Sequence, residues 1–136
     1  MNKLVKYSLI ITAAYEEKSI RKTIESIQGS NANILGVLEI LVVSPDDATL
    51  EAAQAVIKEE KYAEVKYIKD AGQGKPVALN NALEKVMSNL VILTDGDMYL
   101  GDNALENLVL GFVKSDLGGV TGKVVSVDDK RTFFRY

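Results

Sequence analysis

The chain has 136 residues, 47% of them hydrophobic and 26% charged, a balance that suits a folded globular domain able to bury a core without covalent staples. Its 16 basic and 19 acidic residues give a formal net charge of −3, and the basic ones are dispersed, so nucleic acid is not an expected partner. Cysteine and histidine are both absent, which excludes disulfides, thiolate chemistry and Cys-ligated zinc and leaves proton transfer and metal binding to carboxylates.

Lys3 and Lys6 precede the apolar run Leu9 to Ala14. That run is too short for a signal core, is broken by Thr12, and passes directly into Glu16-Glu17-Lys18. No stretch approaches the roughly 20 apolar residues of a membrane-spanning helix, so no membrane segment is expected and the expected location is cytoplasmic. The pattern instead predicts a first strand over Tyr7 to Ala13. Further strands are predicted over Leu38 to Ser44, Val65 to Lys69, Leu90 to Thr94 and Val120 to Val127, most of them near-continuously apolar, as parallel strands covered on both faces are.

Between the strands, apolar residues recur at helical spacing: Ile20, Ile24 and Ile27; Leu50, Ala53 and Ile57; Leu79, Leu83 and Val86; Leu105, Leu108 and Phe112. Gly29 suits the end of the first helix. Ser44-Pro45-Asp46-Asp47 reads as an N-cap, a proline at the first helical position and acids in the first turn. Pro76 suits the start of the third helix, and Asp102 or Asn103 a cap for the fourth. No repeat, low-complexity tract or linker interrupts the alternation. The expectation is one α/β domain over residues 1–136, a Rossmann-like three-layer α/β/α arrangement with a predominantly parallel sheet and right-handed crossovers.

In such a sheet the turns that follow the strands share one edge, where ligands bind. Here those turns are Thr12 to Glu17, Ser44 to Asp47, Asp70 to Lys75 and Asp95 to Asp97, and each carries acids, hydroxyls or glycines. The run Leu90-Val91-Ile92-Leu93-Thr94-Asp95-Gly96-Asp97 delivers two carboxylates separated by one glycine to that edge, which suits a divalent cation carrying a phosphorylated substrate. A plainer role also fits, with Asp95-Gly96 turning the chain and Asp97 capping a helix. The segment Asp70-Ala71-Gly72-Gln73-Gly74-Lys75-Pro76 opens a helix, where free N–H groups and the positive dipole end attract phosphate and Lys75 adds a full charge. It is not a P-loop, because Lys69 stands where the first glycine belongs and Pro76 follows the lysine. Its plainer reading is a flexible turn with a solvated lysine.

Taken in chain order, these turns resemble the family 2 glycosyltransferases of the GT-A fold, which use nucleotide-sugar donors. Members begin with a strand running into I-I-P-A-Y-N-E-E, and Ile10-Ile11-Thr12-Ala13-Ala14-Tyr15-Glu16-Glu17 follows that pattern without a gap. Glu16 falls on the family's nucleotide-side glutamate. Gly72 to Leu83 is similar to G-K-x-x-A-L-N-x-G-L, with Lys75 and Asn80 on recurring positions, and Asp95-Gly96-Asp97 is similar to the D-x-D that holds the cation bridging the donor's diphosphate. The resemblance implies a donor site of Thr12, Ala14, Glu16, Ser44, Asp46, Gly74, Lys75, Asn80, Asp95, Gly96 and Asp97. It further implies Asp97 and Asp95 as ligands of Mn²⁺ or Mg²⁺, a UDP- or GDP-linked sugar, an acceptor that the sequence leaves unidentified, and inversion at the sugar.

There are departures. Thr12, Ala14 and Tyr15 replace the proline, tyrosine and asparagine of the first motif, and Ser44-Pro45 replaces an aspartate pair after the second strand, which leaves Asp46, and less well Asp47, to meet the base. Family catalytic domains continue past a fifth strand into an acceptor-binding half that carries the catalytic base, whereas this chain ends at Thr132-Phe133-Phe134-Arg135-Tyr136. No catalytic base is identified, since Asp102 reads as a cap, Asp116 as a turn and Asp128-Asp129 as a solvated loop. The expectation is a donor-binding half with weak or no transfer of its own, and a face open to homodimerisation. Two other classes share some of these features. A nucleotidyltransferase would need a glycine- and arginine-rich loop where Ala14-Tyr15-Glu16-Glu17 stands, and a non-catalytic interaction module would use the sheet edge or the aromatic tail.

Overall fold

The computed structural model describes residues 6–29, 37–114 and 116–125. Four strands, β1 (Tyr7–Thr12), β2 (Val37–Ser44), β3 (Glu64–Lys69) and β4 (Val91–Asp95), alternate with four helices, α1 (Ile20–Gly29), α2 (Asp47–Gln54), α3 (Lys75–Leu83) and α4 (Ala104–Lys114). The strands form one sheet in the order β3-β2-β1-β4, with every neighbouring pair parallel. The chain steps outward from β1 through β2 to β3 and then returns to the other side of β1. Because crossovers are right-handed, a reversal of direction moves the connecting helix to the opposite face. Accordingly α1 and α2 pack on one face with α4, and α3 lies on the other.

The inner strands explain their own position. β1 is buried at every residue and β2 at all but one, as strands covered on both faces must be. Leu9, Ile11, Ile40, Val42 and Ile92 point toward α1, α2 and α4, while Ile10, Leu41, Val43 and Ile68 point toward α3. The outer strand β3 carries Glu64, Lys66 and Lys69, charges that blunt an exposed edge.

One charge is fully interior. Glu39, on β2, has no solvent exposure and accepts hydrogen bonds from Ser8 Oγ at 2.7 Å, from Lys66 Nζ at 3.1 Å and from the Met87 N–H. Lys66 Nζ also donates to the Lys85 carbonyl at 2.6 Å, and Ser88 Oγ, 2.8 Å from Ser8 Oγ, donates to the Leu90 carbonyl at 2.7 Å. The knot ties the α3–β4 connection to the amino-terminal ends of β1, β2 and β3. Burial would raise the Glu39 carboxyl, but the hydrogen bonds from Ser8, Met87 and Lys66 outweigh it and hold the group below its ordinary range.

Several boundaries differ from those read in the sequence. Ser44 is the last ladder residue of β2, paired with Lys69, and not a helix cap; Asp46 caps α2, its side chain accepting from the Thr49 N–H. The buried residues of α3 are Ala78 and Ala82, one position away from the predicted Leu79 and Leu83, and Leu83 is 44% exposed. On α4 Leu105 is buried as predicted, and its buried companion is Val109 in place of Leu108 and Phe112. The predicted fifth strand is not formed over residues 120–125, where Val124 and Val125 are exposed; residues 126 and 127 lie outside the described residues, as does the aromatic tail. Four predicted strands otherwise match to within a residue at each end, Gly29 closes α1, and Pro76 is the second residue of α3.

Candidate functional site

The sheet order reverses between β1 and β4, and there the carboxyl ends open into a cleft of about 380 Å³. Thr12 and Asp95, the last residues of the two strands, are register partners, and Thr12 Oγ1 donates to Asp95 Oδ1 at 3.3 Å. The cleft is completed by the β1–α1 turn (Ala13 to Glu16), by Val43 and Pro45 from the end of β2, by Asp70, Gly72, Gly74 and Lys75 ahead of α3 with Ala78 on it, and by Asp97.

The β1–α1 turn is pinned from below. The Tyr15 N–H donates to Asp46 Oδ2 at 2.7 Å and the Glu16 N–H to Thr49 Oγ1 at 3.0 Å, so the start of α2 holds the turn. Those bonds hold Tyr15 at φ 55°, a left-handed conformation that costs a bulky residue energy, with its ring 80% exposed at the mouth of the cleft. Asp46 also accepts from Ser44 Oγ at 2.9 Å and from the Thr49 N–H at 2.8 Å. Burial alone would raise its carboxyl, but these hydrogen bonds prevail and hold it at about 2.

The Asp95-Gly96-Asp97 turn is held from the opposite side. The Gly96 N–H donates to the Thr12 carbonyl at 2.9 Å, and the Gly96 carbonyl accepts from Thr23 Oγ1, a fully buried hydroxyl on α1, at 2.8 Å. One turn further along α1, Ser26 Oγ accepts from the Leu100 N–H at 3.0 Å. Asp97 therefore sits in a turn locked at both strand and helix, and α4 begins seven residues later, so Asp97 is not a helix cap. Thr23→Val is expected to leave the Gly96 carbonyl unpaired and to cost about 1–2 kcal/mol in a urea titration, with Thr23→Ser close to the unaltered protein.

Electrostatically the cleft is acidic around one cation. Lys75, the first residue of α3, is its one basic lining side chain among the described residues, and its ammonium bonds Asp95 Oδ1. Gly74 precedes it at φ 102° and makes no side-chain cap, so the first N–H groups of α3 have no capping side chain. Glu16 Oε2 is buried and has no hydrogen-bond partner. Burial pushes the Glu16 carboxyl up, and Asp97 and Asp95 push it further against the opposing pull of Lys75. For a cation, the side chains available are Asp95 and Asp97; among the described residues no three His, Cys, Asp or Glu side chains converge to enclose one. Two carboxylates suit an ion that takes the rest of its shell from water and phosphate oxygens.

Of the residues expected from the sequence, Thr12, Ala14, Glu16, Gly74, Lys75, Asp95 and Asp97 line the cleft together. Ser44, Asp46, Asn80 and Gly96 do not. Ser44 and Asp46 are occupied by one another and by the β1–α1 turn, Gly96 spends both backbone groups on β1 and α1, and Asn80 is exposed on α3. Tyr15, Pro45, Asp70 and Gly72 also line the cleft; they lie in the turns expected at this edge but outside the donor set that the resemblance implies. Asp70 stands directly after the third strand, where its carboxylate accepts from the Gly72 N–H and closes a tight turn. A second, wider trough of about 1070 Å³ shares Thr12, Lys75, Asp95 and Asp97 with the cleft and extends past Leu79, Leu93 and Leu108.

A parallel sheet with its cleft at the switch point beside β1 and β4, and helices on both faces, is the GT-A arrangement of the glycosyltransferases. The chain belongs to glycosyl transferase family 2, whose model matches residues 8–136. It is 30% identical over 142 residues to the probable glycosyltransferase YdaM of Bacillus subtilis (strain 168), a match covering 97% of this chain and 32% of that protein. In fold it is similar to the mannosyltransferase PcManGT from Pyrobaculum calidifontis, solved in complex with GDP-Man and Mn²⁺, with a TM-score of 0.64 and 23% identity over 76% of this chain and 31% of that one. A second likeness is to S. aureus TarS 1-349 in complex with UDP-GlcNAc, with a TM-score of 0.63 and 23% identity over 90% of this chain and 37% of that one. The chain thus spans about a third of the length of the relatives it matches.

Proposed function

We propose that this chain is the donor-binding part of a glycosyltransferase, taking a nucleoside-diphosphate sugar into the cleft with the diphosphate beside Asp95, Asp97 and Lys75. The observation that carries the reading is the meeting, at the switch point of the sheet, of two acidic side chains on a locked turn with one lysine at an uncapped helix start. The GDP-Man and Mn²⁺ held by the mannosyltransferase of like fold favour Mn²⁺ as the accompanying ion. Asp97 and Asp95 would hold it, and bound there it would neutralise charge gathering on the departing nucleoside diphosphate.

The chain's own residues do the rest. Lys75 and the first N–H groups of α3 receive phosphate oxygens, Glu16 offers its unpaired carboxyl oxygen to a hydroxyl or N–H of the nucleoside, and Tyr15 and Pro45 flank the base. With the diphosphate at the point shared by cleft and trough, the sugar faces the trough, the side from which an acceptor hydroxyl attacks for an inverting outcome. No carboxylate in the described part of the trough beyond Asp97 is placed to deprotonate that acceptor, and we infer that transfer by this chain alone is weak or absent.

Calorimetric titration of UDP and then GDP, with and without Mn²⁺, tests the reading. Binding is expected to strengthen at least about tenfold with Mn²⁺ and to lose that gain in Asp97→Ala. Equal affinity with and without the ion, or no affinity for either nucleotide, would overturn it.

A further inference from the structure

Building on the donor-site reading above, we propose that Lys75 is the resident counter-ion of Asp95 in the ligand-free protein, so that a divalent cation must evict the Lys75 ammonium, and that the diphosphate supplies the place to which that ammonium moves. The Lys75 ammonium bonds Asp95 Oδ1, the same oxygen that accepts from Thr12 Oγ1. An ion on this carboxylate would share its inner coordination distance with a positive group already seated there, and the two repel. Among the described residues Lys75 is the one basic side chain lining a cleft that also holds Glu16, Asp70 and Asp97.

The geometry permits the exchange. The Lys75 and Asp95 side chains are 55% and 43% exposed, so the ammonium can swing without displacing packed atoms. It stands on the first residue of α3, beside the backbone N–H groups to which a phosphate would be drawn. A cation arriving alone costs the ammonium its Asp95 partner, in a site made less negative. A cation arriving with a diphosphate gives it phosphate oxygens in return. Ion and nucleotide are thereby coupled through one side chain, and the coupling must be reciprocal: each tightens the other by the same factor.

Mn²⁺ titrations followed by electron paramagnetic resonance, without nucleotide and then at saturating UDP and at saturating GDP, test this on the unaltered protein, Lys75→Gln and Lys75→Arg. Lys75→Gln is expected to bind Mn²⁺ alone on the order of tenfold more tightly than the unaltered protein, and to lose most of the further tightening that nucleotide brings. Lys75→Arg, which keeps the charge, should stay near the unaltered protein. If nucleotide tightens Mn²⁺ in the unaltered protein while Lys75→Gln binds the ion alone no better, the counter-ion role fails and the donor site stands. If the unaltered protein holds no Mn²⁺ with either nucleotide present, both fail together.

Discussion

Gly96→Ala is expected to lower stability by about 2–3 kcal/mol and to weaken nucleotide binding on the order of a hundredfold. The reason is space and not backbone conformation. A Cβ on Gly96 would lie 2.5 Å from Ala13 Cβ and closer still to Glu16 Oε2, and the residue is buried between them. The Glu16 carboxyl ends a flexible side chain and can swing aside, but Ala13 Cβ moves only with its backbone. That backbone is held, since the Ala13 N–H donates to the Val43 carbonyl at 3.0 Å. The methyl must therefore push the Asp95-Gly96-Asp97 turn away from β1, breaking its bonds to Thr12 and Thr23 and carrying both carboxylates out of line. Urea unfolding and a nucleotide titration on the same sample check this; unimpaired binding would mean that the turn does not hold the nucleotide.

Glu39→Ala is expected to cost about 3 kcal/mol, read as a lower urea midpoint. Removing the carboxylate strips partners from Ser8 and Met87 and leaves Lys66 with the Lys85 carbonyl and, at 3.6 Å, Glu64. The pH dependence follows from the lowered carboxyl: its stabilisation is complete above the unfolded value of 4.5 and is lost as pH falls through the lower folded value. The gap between the unaltered protein and Glu39→Gln should accordingly be full at pH 7 and close below pH 4.5. A gap that persists unchanged into acid would show that shape, not charge, is what Glu39 contributes.

The sheet was legible because β1 and β2 are unbroken apolar runs, which only strands covered on both faces sustain. The seven cleft residues were legible for a related reason: once four parallel strands are recognised, the residues that follow them have to share an edge. What escaped reading depended on neighbours in space. Hydropathy favours Leu79 and Leu83 as the buried stripe of α3, yet the helix lies on Ala78 and Ala82, whose small side chains let it approach the sheet. Val120 to Val127 has strand-like composition, but composition does not provide the partner a strand needs. Asp46 carries an ordinary acidic signature at a helix start; that its second oxygen reaches back to Tyr15, 31 positions earlier, is a property of the folded chain.

The Glu39 knot lies at the amino-terminal ends of the strands and the acidic cleft at their carboxyl ends, with the full length of β1 between them. Such a separation lets the cleft end vary while the knot at the other end holds the sheet. On the donor-site reading proposed above, substitutions among Thr12, Ala14, Tyr15 and Pro45 are expected to shift nucleotide preference while the anchoring end preserves the scaffold. On that reading the rim of the cleft can be varied in small steps while the fold is kept.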